Sequence, residues 1–121
     1  MRVGRQVIFN KGDIVRVNLN PTAGREKRGD YRPCLVITEK NFNKLGTTFI
    51  TPITQGGDYT RVQGLAVTLM GSGTETQGVI LVSGLRAVDL VARKTTKIET
   101  APKIIMDEVI GILTAIIEGE K

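Results

Sequence analysis

Gly-Asp-Ile-Val-Arg-Val-Asn-Leu-Asn-Pro-Thr-Ala-Gly-Arg-Glu-Lys-Arg-Gly-Asp-Tyr-Arg-Pro-Cys-Leu-Val-Ile, residues 12–37, is the stretch on which the reading of the fold turns. It reads as strand, polar loop, strand. Val15, Val17 and Leu19 alternate with Arg16 and Asn18, the period of a half-buried strand. After Arg32-Pro33 the run Cys34-Leu35-Val36-Ile37 is continuously apolar, as in a strand covered on both faces. Hairpin loops usually hold roughly 2–5 residues, so the much longer polar stretch between these strands is expected to carry function.

That stretch is net positive: Arg25, Lys27, Arg28 and Arg32 stand against Glu26 and Asp30. Guanidinium forks donate two parallel hydrogen bonds and so suit phosphate, although a solvated charged loop explains such a run equally well. Arg32 is different. It precedes Pro33, which biases it to an extended backbone, and it stands at the mouth of a buried strand. A cation held there on rigid scaffold is the better candidate for a functional role.

The 121 residues are enough for one domain, spanning 1–121, with a single modest core. Seventeen basic residues against twelve acidic give a net charge of +5, which favours polyanionic partners. No tract of about 18 apolar residues is present to cross a membrane, and the charged N-terminus leads into no signal-peptide core. Cys34 is the only cysteine and lies in an apolar run, so it reads as a buried small hydrophobe. Without a second cysteine there is no intramolecular disulfide, which fits the cytoplasm. The chain has no histidine, which excludes a Ser-His-Asp triad, a histidine acid–base pair and a histidine-ligated zinc. No metal or cofactor is therefore expected. Tyr31, Tyr59, Phe9, Phe42 and Phe49 are too few for an extended base-stacking platform.

Working outward, residues 1–11 form a basic N-terminal arm, or an edge strand through Val7-Ile8-Phe9. Glu39 to Lys44 suits one helical turn. Thr47 to Thr54 is strand-like, with Pro52 marking an edge or a bend. Gln55-Gly56-Gly57-Asp58 is a turn signal. Gly64 to Leu69 and Gly78 to Val82 read as further strands, and Leu85 to Leu90 extends the sheet. Arg93, Lys94 and Lys97 read as solvated surface. Strands at this spacing with glycine-rich turns point to a small, strongly bent barrel or sandwich. Pro102 then opens a helix over 102–118. Ile105, Val109, Ile112 and Ile116, with Met106, Ile110, Leu113 and Ile117 one residue on, make a wide apolar face for packing across the sheet. Its width leaves room for a second subunit.

Gly12-Asp13-Ile14-Val15, Asn20-Pro21-Thr22-Ala23-Gly24, Glu26, Gly29, Arg32-Pro33, Phe42-Asn43 and Pro52-Ile53-Thr54-Gln55-Gly56-Gly57 together resemble the MazF/PemK (Kid) toxin family, closest to its ChpB-like branch. Gly78-Val79, Arg86, Asp89 and Ala92-Arg93 continue the likeness. The resemblance implies a mainly β, SH3-like barrel of the CcdB/MazF type with a C-terminal α-helix, working as a homodimer. It also implies the toxin of a type II toxin–antitoxin system: a ribosome-independent endoribonuclease that cuts single-stranded mRNA at a short sequence and is blocked by a cognate antitoxin.

On this resemblance Arg32 matches the catalytic arginine and Thr54 the catalytic threonine, which would hold a phosphate oxygen. Glu26 matches a carboxylate that some members need, as proton acceptor or as salt-bridge partner to Arg32 or Lys27. Without a metal, the accessible route is attack by the RNA's own 2′-hydroxyl on the adjacent phosphorus. Arg25, Lys27, Arg28, Gln55, Tyr59, Arg61, Ser83 and Arg86 are the candidate RNA contacts, with Tyr59 stacking and Gln55 reading a base edge. The histidine, arginine and aspartate used by the Kid branch are replaced by Arg25, Leu81 and Ser83, so that acid–base set is absent. The competing reading is a non-catalytic module on the same barrel, as in CcdB-type proteins that bind DNA gyrase. The pairing of Arg32-Pro33 with Pro52-x-Thr54 favours the nuclease.

Overall fold

A computed structural model describes residues 7–19, 31–55 and 65–119. Asp13–Asn18 (β1) and Tyr31–Val36 (β2) pair antiparallel, with Ile14 opposite Leu35, Val15 opposite Cys34 and Val17 opposite Arg32. Thr48–Thr54 (β3) follows on β2, then Ala66–Thr68 (β4), Val79–Leu81 (β5), Arg86–Val88 (β6) and Thr96–Thr100 (β7). Neighbouring strands run in the order β4-β5-β3-β2-β1-β7, with β6 also paired to β3. The fold is mainly β with one long C-terminal helix, as expected, but among the described residues this path does not close on itself: β4 and β7 are left as its ends.

Pro52 sits where β3 changes partner. Thr48, Phe49 and Ile50 pair with β6, whereas Ile53 and Thr54 pair with β5. The amide of Ile37 donates to the Phe49 carbonyl (2.9 Å), which sets the phase of the β2–β3 ladder. Even-numbered residues of β3 then turn their amides away from β2. The amide that Pro52 lacks would have pointed into the junction between β5 and β6, so the bend costs the ladder little.

The helix runs Lys103–Glu118 (α2), with Pro102 outside it in extended conformation as the N-cap rather than as the first helical residue. Gly119 ends it at φ 78°, a value that favours glycine, and donates its amide to Ala115 O (2.8 Å). Ile105, Met106, Val109 and Leu113 pack on Ile14, Leu35, Ile53, Val67, Leu69, Ile80 and Val82. Ile14, placed on the outward face by the alternation in β1, is buried because α2 covers that face. Each large side chain fully buried here contributes about 1.5–3 kcal/mol. The apolar stripes are covered only as far as Leu113; Ile116 and Ile117 in the last turn are 47% and 77% exposed.

The opposite face of the sheet builds a second cluster from Phe9, Val15, Val17, Cys34, Val36, Ile50, Val88 and Leu90. Residues 7–10 supply Phe9 to it without forming the edge strand that Val7-Ile8-Phe9 suggested. Side chains hold this segment instead of a ladder. The Asn43 amide nitrogen donates to Phe9 O (2.8 Å), and Asn10 Oδ1 accepts from the Lys40 amide (3.0 Å) at the start of the short helix Lys40–Asn43 (α1).

Candidate functional site

Residues directly opposite each other in a ladder point to one face of the sheet. Val17 with Arg32, Cys34 with Pro52, and Val36 with Ile50 and Arg86 therefore share a face, the one away from α2. Thr54 lies past the end of the β2–β3 ladder at Cys34 and Pro52, and by alternation with Ile53, which packs on the α2 side, it points to the same face as Arg32. Arg32 and Arg86 are exposed there and Thr54 is half-buried.

Cys34 reports the electrostatics of this surface. Its thiol is fully buried and pushed up to about 12 by desolvation, while the guanidinium groups of Arg86 and then Arg32 pull it back down. Both cations thus act on one sulfur, Arg32 from the same strand and Arg86 from β6 on the far side of β3. Two guanidiniums above an apolar floor, with a threonine on the same face, can bind a phosphodiester and stabilise added negative charge on it.

The end of β3 is held closely. Gly78, at φ 127°, lies against the Thr54 carbonyl so tightly that a Cβ there would overlap the oxygen. One residue on, Gln55 Nε2 donates to the Gln77 carbonyl (3.3 Å). Ser83 is exposed in the 3-10 turn Val82–Gly84, and a Cβ on Gly84 would stand 3.0 Å from Pro52 Cγ. That contact brings the Ser83 turn against the bend of β3. Leu81 is half-buried opposite Ala66 and has no polar chemistry to offer.

Arg25, Glu26, Lys27, Arg28, Tyr59 and Arg61 lie outside the described residues. Among the described residues no group of three or more His, Cys, Asp or Glu side chains converges to hold a metal ion, and no helix is long and apolar enough to cross a membrane.

Two features escaped the sequence reading. Arg93, read as solvated surface, donates Nη1–H to Asn18 O (3.0 Å) and so ties down the end of β1. Lys97, from the same run, pairs with Asp13 (3.3 Å). The second feature is Glu99 on β7. Its carboxylate accepts from the amides of Glu75 (3.0 Å) and Thr76 (2.7 Å) and from the Thr76 hydroxyl (2.6 Å). Burial alone would raise its pKa, but these three bonds outweigh it and hold the group below the ordinary glutamate value. Glu99 and the turn it binds lie more than twenty residues apart in the sequence, so no local signal joined them.

A family model described as PemK-like, MazF-like toxin of type II toxin–antitoxin system matches residues 10–117. Endoribonuclease toxin ChpB of Escherichia coli strain K12 is 40% identical over 110 residues, covering 91% of this chain and 95% of that protein. Endoribonuclease PemK of Escherichia coli is 39% identical over 116 residues, covering 95% and 86% respectively. Among solved structures, MazF from Deinococcus radiodurans (Form-I) superposes with a TM-score of 0.77 at 26% identity, covering 93% of this chain and 99% of that one.

Proposed function

The chain belongs to the PemK-like, MazF-like toxins of type II toxin–antitoxin systems, whose curated relatives are endoribonucleases, and from this we propose how it cuts RNA. The substrate is single-stranded mRNA, cut at a short sequence without the ribosome and without a metal ion. The 2′-oxygen bonds to the adjacent phosphorus as the bond from phosphorus to the 5′-oxygen breaks. The 2′-hydroxyl proton leaves to a base and the 5′-oxygen gains a proton, giving 2′,3′-cyclic phosphate and 5′-hydroxyl ends.

Arg32 stabilises the charge of the phosphorane and supplies the leaving-group proton; Thr54 holds a non-bridging oxygen. Glu26 accepts the 2′-hydroxyl proton. Arg86, with Arg25, Lys27, Arg28 and Arg61, binds neighbouring phosphates. Gln55, Tyr59 and Ser83 contact the bases. The observation that supports this assignment is the shared sheet face of Arg32, Thr54 and Arg86, on the side away from α2. On the same reading residues 1–121 form one domain, acting in the cytoplasm as a homodimer. The exposed Ile116 and Ile117 are available to a second subunit. A cognate antitoxin blocks the RNA site.

The test is cleavage of a long single-stranded RNA in excess EDTA, with the ends mapped and their chemistry identified. Discrete cuts with cyclic phosphate ends are expected. In Arg32→Ala they should fall by at least about a hundredfold, and a deoxy substrate should stay intact. Intact RNA at high concentration of folded protein would overturn the proposal in favour of a protein-binding module.

A further inference from the structure

Glu99 stands at one end of the sheet path and the connection between β4 and β5 at the other, and among the described residues no backbone ladder joins them. The side chain of Glu99 spans that gap. A bulge in β7 makes this possible: Val15 pairs with Lys97 but Ile14 pairs with Glu99, leaving Ile98 as the extra residue. A bulge re-aims the side chains that follow it. It sets Glu99 opposite Ile14, on the α2 face, within reach of residues 75 and 76.

The bound turn leads straight to the candidate site. Thr76 precedes Gln77, whose carbonyl accepts from Gln55, and Gln77 precedes Gly78, whose backbone presses on the Thr54 carbonyl. The turn is braced internally as well. Thr74 Oγ1 donates to Thr76 O (2.7 Å), and Gln77 Nε2 donates to Thr74 O (3.2 Å). A displacement of residue 76 therefore reaches Thr54 and Gln55 through two residues of chain and two direct contacts.

We infer that Glu99 and Thr76 act as a positioning clamp for the RNA-cleaving site, setting Thr54 and Gln55 through the Gln77-Gly78 segment. This rests on the reading of Thr54 and Gln55 as site residues. The carboxylate touches no substrate. It works by fixing a turn, so its effect is conveyed only through the residues that the turn supports.

The experiment is a double-mutant cycle on cleavage of an RNA oligonucleotide containing a mapped cut site. Amide hydrogen exchange is measured on the same variants without RNA. Glu99→Ala is expected to lower kcat by roughly ten- to a hundredfold, the scale on which a small misplacement at a reacting centre acts. In a Thr54→Val background the same change should cost clearly less than in wild type, because one of the two residues it serves is gone. Thr76→Ser should behave as wild type and Thr76→Val should fall between, which keeps the test open should Glu99→Ala not fold. Exchange at Gln55 and Gly78 should rise in Glu99→Ala and Thr76→Val.

Effects of Glu99→Ala that simply multiply with those of Thr54→Val would overturn the clamp, as would exchange at Gln55 and Gly78 unchanged from wild type. If the wild-type protein leaves RNA intact, the nuclease reading fails. The exchange measurement still decides whether the turn is held by Glu99.

Discussion

Cys34 lies under two guanidinium groups that favour its thiolate, yet burial wins and the thiol is held at about 12. An unperturbed cysteine titrates near 8.5, so at pH 8 the native thiolate fraction is lower by roughly a thousandfold. Iodoacetamide should therefore label Cys34 in the native protein roughly a thousandfold more slowly than in urea; comparable rates would contradict the packing beneath Arg32 and Arg86. Arg32 itself was legible as a candidate from its neighbours, because Pro33 and the apolar run after it announce a cation at a strand mouth. Thr54 was legible only through the resemblance, since a threonine at a strand end is common. Arg93 was misread because nothing local shows that its guanidinium meets Asn18 O, a carbonyl far away in sequence.

Among the elements, β1, β2 and α2 were readable from periodicity, whereas β7 was not. Thr-Lys-Ile-Glu-Thr offers one apolar residue and no alternation, and it becomes a strand because β1 leaves an edge for it to pair with. The strands at β4, β5 and β6 came out shorter than their apolar runs suggested; Val82, for example, passes into a 3-10 turn. The end of β3 depends on a glycine. In Gly78→Ala the methyl group would enter the Thr54 carbonyl and the residue would be strained at φ 127°. A loss of about 1–3 kcal/mol in stability is expected from the urea midpoint. Cleavage by the remaining folded protein should drop at least about tenfold, because Thr54 moves. Full activity in that variant would disconnect Thr54 from the chemistry.

In the molecule as a whole, the two faces of the sheet carry different burdens. The α2 face holds the larger core, and the other face carries Arg32, Thr54 and Arg86. Ile105→Ala should therefore cost about 2–5 kcal/mol of stability while leaving kcat of the folded protein unchanged at low temperature. A parallel drop in kcat would mean that the faces are coupled. The sequence by itself determined the chemical repertoire: no histidine, one buried cysteine, an excess of cations, the two strands β1 and β2 and a closing amphipathic helix. It did so because composition, periodicity and proline placement act over a few residues. Only the tertiary structure decided that Arg32, Thr54 and Arg86 share one face of the sheet, and that Glu99 reaches the turn at 75–76. Those relations depend on strand register and on one bulge, and a shift of a single residue in either would send every side chain concerned to the opposite face.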